Sequence, residues 1–131
     1  PNITITEIPD SITQSSSFTI KATIEDASEL ESVCLMYTIR GQVFQVNMTY
    51  NEEEDVWSAT ITITGNTGET VDLWIRATDI YYNTADSEIE SFELQSEKSG
   101  LGHSNAWLWL IFLVLLIAPI VLTIVLLKPQ K

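Results

Sequence analysis

A run of 22 residues without a charge, 106–127, constrains this chain more than any other feature. As a helix rising about 1.5 Å per residue it would reach roughly 33 Å, enough to cross a hydrocarbon core about 30 Å thick. A helix inside a small domain needs neither that length nor apolar side chains on every face. The run therefore predicts one transmembrane helix. Trp107 and Trp109 stand in its first turn, where indoles favour the water–lipid boundary, and Lys128 follows its last residue. Pro119, in mid-span, predicts a kink.

Charge divides sharply across this run. All 18 acidic residues and four bases (Lys21, Arg40, Arg76, Lys98) precede it, a net charge of −14, whereas Lys128 and Lys131 follow it without an acid. Positive flanks stay cytoplasmic, so residues 128–131 are expected to be a cytoplasmic tail and the N-terminal domain extracytoplasmic. That orientation requires export, so the sequence reads as a mature chain or as the C-terminal part of a longer one. So acidic a domain repels nucleic acid and anionic lipid, and suits cations or basic partners. Cys34 is the only cysteine, which rules out an internal disulfide and fits a prokaryotic surface protein. Lying in an apolar run, it is expected to be a small buried side chain.

Residues 1–94 read as seven strands: 2–8, 17–25, 33–40, 42–50, 56–64, 70–79 and 87–94. Each is rich in Thr, Val, Ile and aromatic residues. Phe18, Ile20, Ala22 and Ile24 alternate with Thr19, Lys21 and Thr23; Trp57, Ala59, Ile61 and Ile63 alternate with Ser58, Thr60 and Thr62; Val71, Leu73, Ile75 and Ala77 alternate with Asp72, Trp74, Arg76 and Thr78. A period of two sends one set to a core and the other to solvent. Gly41 predicts a tight hairpin between the third and fourth strands, and Gly65-Asn66-Thr67-Gly68 a turn. Seven short strands in this length predict an all-β sandwich, followed by a polar linker at 95–105 and the membrane helix.

The motif order resembles an immunoglobulin-like module of fibronectin type III character, of the kind that recurs in archaeal and bacterial surface proteins. The matching stretches are Ile24-Glu25-Asp26 with the run from Leu30 to Tyr37, then Trp57-Ser58-Ala59-Thr60-Ile61, then the run from Val71 to Asp79 with Asn83-Thr84-Ala85-Asp86. The resemblance covers about residues 1–95. It implies a fold, and a stalk, spacer, adhesion or assembly role, more than an activity. The tyrosine common in the family's sixth strand is missing, with Leu73 or Trp74 near its place, so no tyrosine corner carries over.

That topology would bring the loops after the second, fourth and sixth strands to one end. They hold Glu25, Asp26, Glu29 and Glu31, then Glu52, Glu53, Glu54 and Asp55, then Asp79 and Asp86, which is ten of the 18 acids. The last strand runs the other way, so this acidic tip is expected to point away from the membrane. Three readings of the tip stand side by side. Its carboxylates are hard oxygen donors for calcium, with Asp26, Asp79 and Asp86 the first candidates, although no EF-hand spacing is present. It is a docking surface for an upstream domain or another basic partner. Or it is a solvated, mutually repelling surface.

Asn2-Ile3-Thr4 and Asn47-Met48-Thr49 are N-glycosylation sequons; if Phe44, Val46 and Met48 point inward, Asn47 faces water. Catalysis finds little to work with. His103, the only histidine, lies in the linker, and the chain has no nucleophile motif, glycine-rich phosphate loop or Cys/His metal pattern. The chain is therefore not expected to be an enzyme or to hold a resident cofactor. The expected role is a membrane-anchored cell-surface structural, adhesion or spacer module. The alternative is a single-span subunit of a membrane or surface assembly. A third option is a carbohydrate- or ligand-binding sandwich using Trp74, Tyr81 and Tyr82.

Overall fold

Alternating apolar and polar residues give strands with one wet and one dry face, and two such faces must meet to bury the dry sides. In a computed structural model, which describes residues 1–97, this produces an all-β, two-sheet sandwich. The strands are β1 (Asn2–Glu7), β2 (Ile12–Thr13), β3 (Ser17–Glu25), β4 (Leu30–Ile39), β5 (Gln42–Asn47), β6 (Thr49–Asn51), β7 (Val56–Thr62), β8 (Thr70–Asp79), β9 (Thr84–Asp86) and β10 (Glu90–Gln95). One sheet has the order β1-β3-β7-β6. The other has the order β2-β10-β8-β4-β5, with β9 added on β8. All pairings are antiparallel except β2 with β10. The expected membrane span 106–127, with Trp107, Trp109, Pro119 and Lys128, lies outside the described residues, as does most of the linker.

The inward sets predicted from alternation form the core. Ile20, Ala22, Ala59 and Ile61 from one sheet, with Ile63 just after β7, meet Val33, Leu35, Val71, Leu73, Ile75, Ala77 and Leu94 from the other.

Ten strands replace the seven expected, for three local reasons. The stretch 2–8 ends earlier and the chain changes sheets around Pro9, which has no N–H for a ladder, before forming β2. The stretch 42–50 is two strands in different sheets. At Met48, which is buried, the chain crosses over while its N–H still donates to the Val33 carbonyl at 2.9 Å. The stretch 87–94 begins later, and β9 precedes it. Between the two, the Ser87 hydroxyl accepts the Ile75 N–H at 2.9 Å, where a ladder carbonyl would otherwise stand.

The Arg40-Gly41 turn joins β4 to β5 with both residues at positive φ, 54° and 74°, as a two-residue hairpin requires. Cys34 is buried at 5% exposure, as expected, yet it sits outside the core. With Met36 it lies on the outward face of its sheet. There Gln45 Nε2–H donates to Cys34 Sγ at 3.2 Å, and the thiol lies 3.4 Å from Asn47 Oδ1.

Candidate functional site: an acidic tip with a tyrosine loop

Strand register fixes which ends of the sandwich hold which loops. Asn2 pairs with Glu25, Asn51 with Val56 and Leu30 with Asp79, so the β3–β4, β6–β7 and β8–β9 loops share one end. The Ile39–Gln42 hairpin and the bond from the Gly68 N–H to the Leu94 carbonyl mark the other end. The strand β10 runs toward that second end. The described chain therefore leaves the sandwich opposite the acidic loops, as the sequence predicted.

The β8–β9 loop is built around one carboxylate. Asp79 is 3% exposed, and its Oδ1 accepts the backbone N–H of Tyr81 at 2.9 Å and of Asn83 at 2.8 Å. Its Oδ2 accepts the Asn83 side-chain amide at 2.8 Å. The Asp79 N–H donates to the Asn83 carbonyl, the Tyr82 N–H to the Asp79 carbonyl, and the Ile80 N–H to the Glu29 carbonyl of the neighbouring loop, each at 3.0 Å. The Asn83 amide and then the two backbone donors hold the Asp79 carboxyl below the usual range, against the opposing effects of burial and of nearby Asp26. Tyr82 takes a positive φ of 67°. The loop thus pushes Tyr81 and Tyr82 into solvent at 70% and 81% exposure, with Ile80 beside them.

The other tip loops use the same chemistry. Asp26 Oδ1 accepts the Ser28 N–H at 2.7 Å, and its Oδ2 lies 2.5 Å from the Pro1 amino group, which lowers its pKa first. Asn51 Oδ1 accepts the N–H groups of Glu53 and Glu54, and the Tyr50 hydroxyl donates to Asp55. Lys21 reaches Glu54 at 3.0 Å and Glu7 at 3.4 Å, which raises its pKa.

The three candidate calcium ligands are not brought together. Asp79 is consumed inside its own loop. Asp86 lies down the sheet, opposite Arg76, whose guanidinium grips it with two bonds of 2.7 Å and lowers its pKa. Among the described residues, no group of three or more His, Cys, Asp or Glu side chains is arranged to hold a metal ion. Asn2 and Asn47 are both exposed, as a glycan acceptor must be. Trp74 does not join the tyrosines: it is half-buried on the outward face of its sheet beside its cross-strand partner Met36, five residues before Asp79, roughly 17 Å along the strand. Two surface clefts, of about 230 Å³ beside Asn47 and Trp57 and about 320 Å³ between Ile5 and Ser87, fall below or at the bottom of the roughly 300–1,000 Å³ typical of ligand pockets.

What the sequence reading missed was the inward role of Asp79. The Asp-x-x-x-Asn spacing from Asp79 to Asn83 was its only signal.

No family model and no curated protein matches the chain in sequence. Its fold is similar to parts of solved structures. A cycloalternan-degrading enzyme from Trueperella pyogenes superposes with a TM-score of 0.51 at 15% identity, over 70% of this chain and 12% of that one. The same enzyme in complex with cycloalternan gives 0.52 at 12% identity, over 65% and 14%. An engineered protein gives 0.51 at 20% identity, over 74% and 20%. The chain therefore spans a fifth or less of each of these structures, and the likeness is one of fold.

Proposed function

We propose that the chain is a membrane-anchored, immunoglobulin-like module of a cell surface, a spacer that displays its tip, without catalytic chemistry of its own. The observation that carries this reading is directional: the chain leaves the sandwich at the end opposite the tip that holds Tyr81, Tyr82 and the acidic loops. An uncharged run of 22 residues then follows at 106–127. The order β1-β3-β7-β6 against β10-β8-β4-β5 supports the immunoglobulin-like assignment, since it matches the ABED and GFC sheets of that architecture. The tip would meet a protein partner or an upstream domain, and Asn47 and Asn2 are the sites at which a glycan would attach.

The test is to express the full chain in membranes, extract with alkaline carbonate, and add protease from the domain side. The reading expects carbonate to leave the chain in the membrane, and protease to remove the sandwich while sparing a label after Lys128. Release into the carbonate supernatant would reject the anchor, and a protected sandwich would reject the orientation. The alternative, a single-span assembly subunit, expects a different protein in stoichiometric amount after mild detergent extraction. The exposure of Tyr81 and Tyr82 favours one further reading, carbohydrate binding at the tip. It expects glycan-array binding that disappears when both tyrosines become serine.

A further inference from the structure

Sandwich sheets end in strands whose outer backbone groups lack partners, and natural proteins guard such edges with charge, proline, bulges or shortness. Three edges here are guarded. In β1 the register breaks between Ile5 and Glu7, a charge sits at the break and Pro9 follows. The edges β2 and β6 have two and three residues. The edge β5 has none of these devices. It reads Gln-Val-Phe-Gln-Val-Asn, has six residues in unbroken register with β4, and carries neither charge nor proline. Val43 is 61% exposed, and among the described residues nothing pairs with the outer side of β5.

The ladder geometry says which groups are free. The two-residue turn makes Ile39 and Gln42 a hydrogen-bonded pair, and alternation continues to the bond from the Met48 N–H to the Val33 carbonyl. The N–H and C=O of Gln42, Phe44 and Val46 therefore point to β4, and those of Val43, Gln45 and Asn47 point outward. We propose that this edge pairs antiparallel with the same edge of a second copy, about a two-fold axis at Gln45.

In that register Gln45 faces Gln45, Val43 faces Asn47 and Asn47 faces Val43, so all three outward residues join the ladder. On the inner face, Phe44 of each copy meets Val46 of the other, which is self-complementary apolar contact. A second copy fits this strip because its own β5 is equally free of charge, so no acid faces an acid within the ladder, while the net −12 of each chain opposes approach and makes association strengthen with added salt. An edge of six residues covers less than the roughly 800 Å² per partner of stable complexes, so the pairing is weak in solution and suits high local density. The pairing does not depend on the anchoring proposed above.

The experiment measures self-association of the unglycosylated full chain in detergent by sedimentation. The wild type is expected to dimerise as concentration rises. Val43→Pro removes an outward N–H while leaving the β4 pairing intact, and Gln45→Lys sets two like charges opposite each other at the axis. Each is expected to weaken association by about tenfold or more, with Thr60→Lys, on the outer face of the other sheet, unchanged. Circular dichroism melts establish that the variants fold, and Gln45→Lys stands alone if the proline does not. A wild type that stays monomeric up to about 1 mM, a concentration at which contacts worth about 4 kcal/mol would register, overturns the proposal. So does a dimer that both edge variants leave intact, because that dimer would form elsewhere.

Discussion

The two ends of the sandwich are closed by different physics. The end from which the chain departs is closed mainly by packing, with a single carboxylate, Glu69, accepting the Asn66 N–H at 2.7 Å and pairing with Arg40. Gly65 there leaves no room for a methyl group, since an added Cβ would stand 2.7 Å from Ile39 Cδ1, 2.9 Å from Leu94 Cδ2 and 2.7 Å from Glu69 Oε2. The tip is closed by oxygen acceptors: Asp79, Asp26 and Asn51 each take backbone N–H groups that the loops would otherwise leave unpaired. Packing is indifferent to pH, whereas carboxylate acceptors hold their loops most strongly while ionised. The difference teaches that the acids of the tip are divided: some build the loops, and others, such as Glu52 and Glu53, face solvent.

The largest effect is expected at the packed end. Gly65→Ala must displace Ile39 and Leu94, both buried, and is expected to cost about 1–3 kcal/mol in a denaturant titration. A cost near zero would mean that this end is looser than its contacts imply.

Asp79→Ala comes next and acts at the other end. It leaves the N–H groups of Tyr81 and Asn83 without their acceptor, so the melting temperature should fall and amide exchange should quicken at those two residues first. The pH dependence follows from the sign of the shift. The folded-state pKa of Asp79 lies below its unfolded value of about 3.9. Its stabilising contribution is therefore complete above that pH and is lost as pH falls through the folded pKa. Melts of the wild type and Asp79→Asn should converge on acidification, and parallel curves down to about pH 2 would remove the carboxylate from the account.

Much of this was legible in the sequence. Strict alternation through 17–25 and 70–79 identified the inward residues of β3 and β8, because a half-buried strand has one possible pattern. The same signal cannot register a change of sheet. Val46 and Met48 continue the alternation of β5, and Met48 still bonds to Val33 of β4, yet the next residue, Thr49, already pairs in the other sheet. Nor can it show a second buried layer: Cys34 and Met36 occupy outward positions and are nevertheless covered. At the tip, composition located the acids but did not say what each carboxylate touches. Asp79, Asp86 and Asp26 looked alike as oxygen donors, and only the folded chain separates a loop's internal acceptor from the arginine-bound partner on the sheet.

The smallest effects are expected from the exposed tip pairs, and they sharpen the same contrast. Lys21 and Glu54 are solvent-exposed enough for salt to screen them. Glu54→Gln should shift the melting temperature little, and in roughly 1 M NaCl, where the screening length is about 3 Å, not at all. Calcium provides the matching control. A solvated acidic surface responds to ionic strength, whereas an assembled carboxylate site responds to the ion itself. Because Asp79 and Asp86 are engaged by Asn83 and Arg76, millimolar CaCl2 is expected to raise the melting temperature no more than NaCl of equal ionic strength. A clear excess for calcium would mean that the tip exchanges its internal donors for the metal, and the division between loop-building and solvated acids would have to be redrawn.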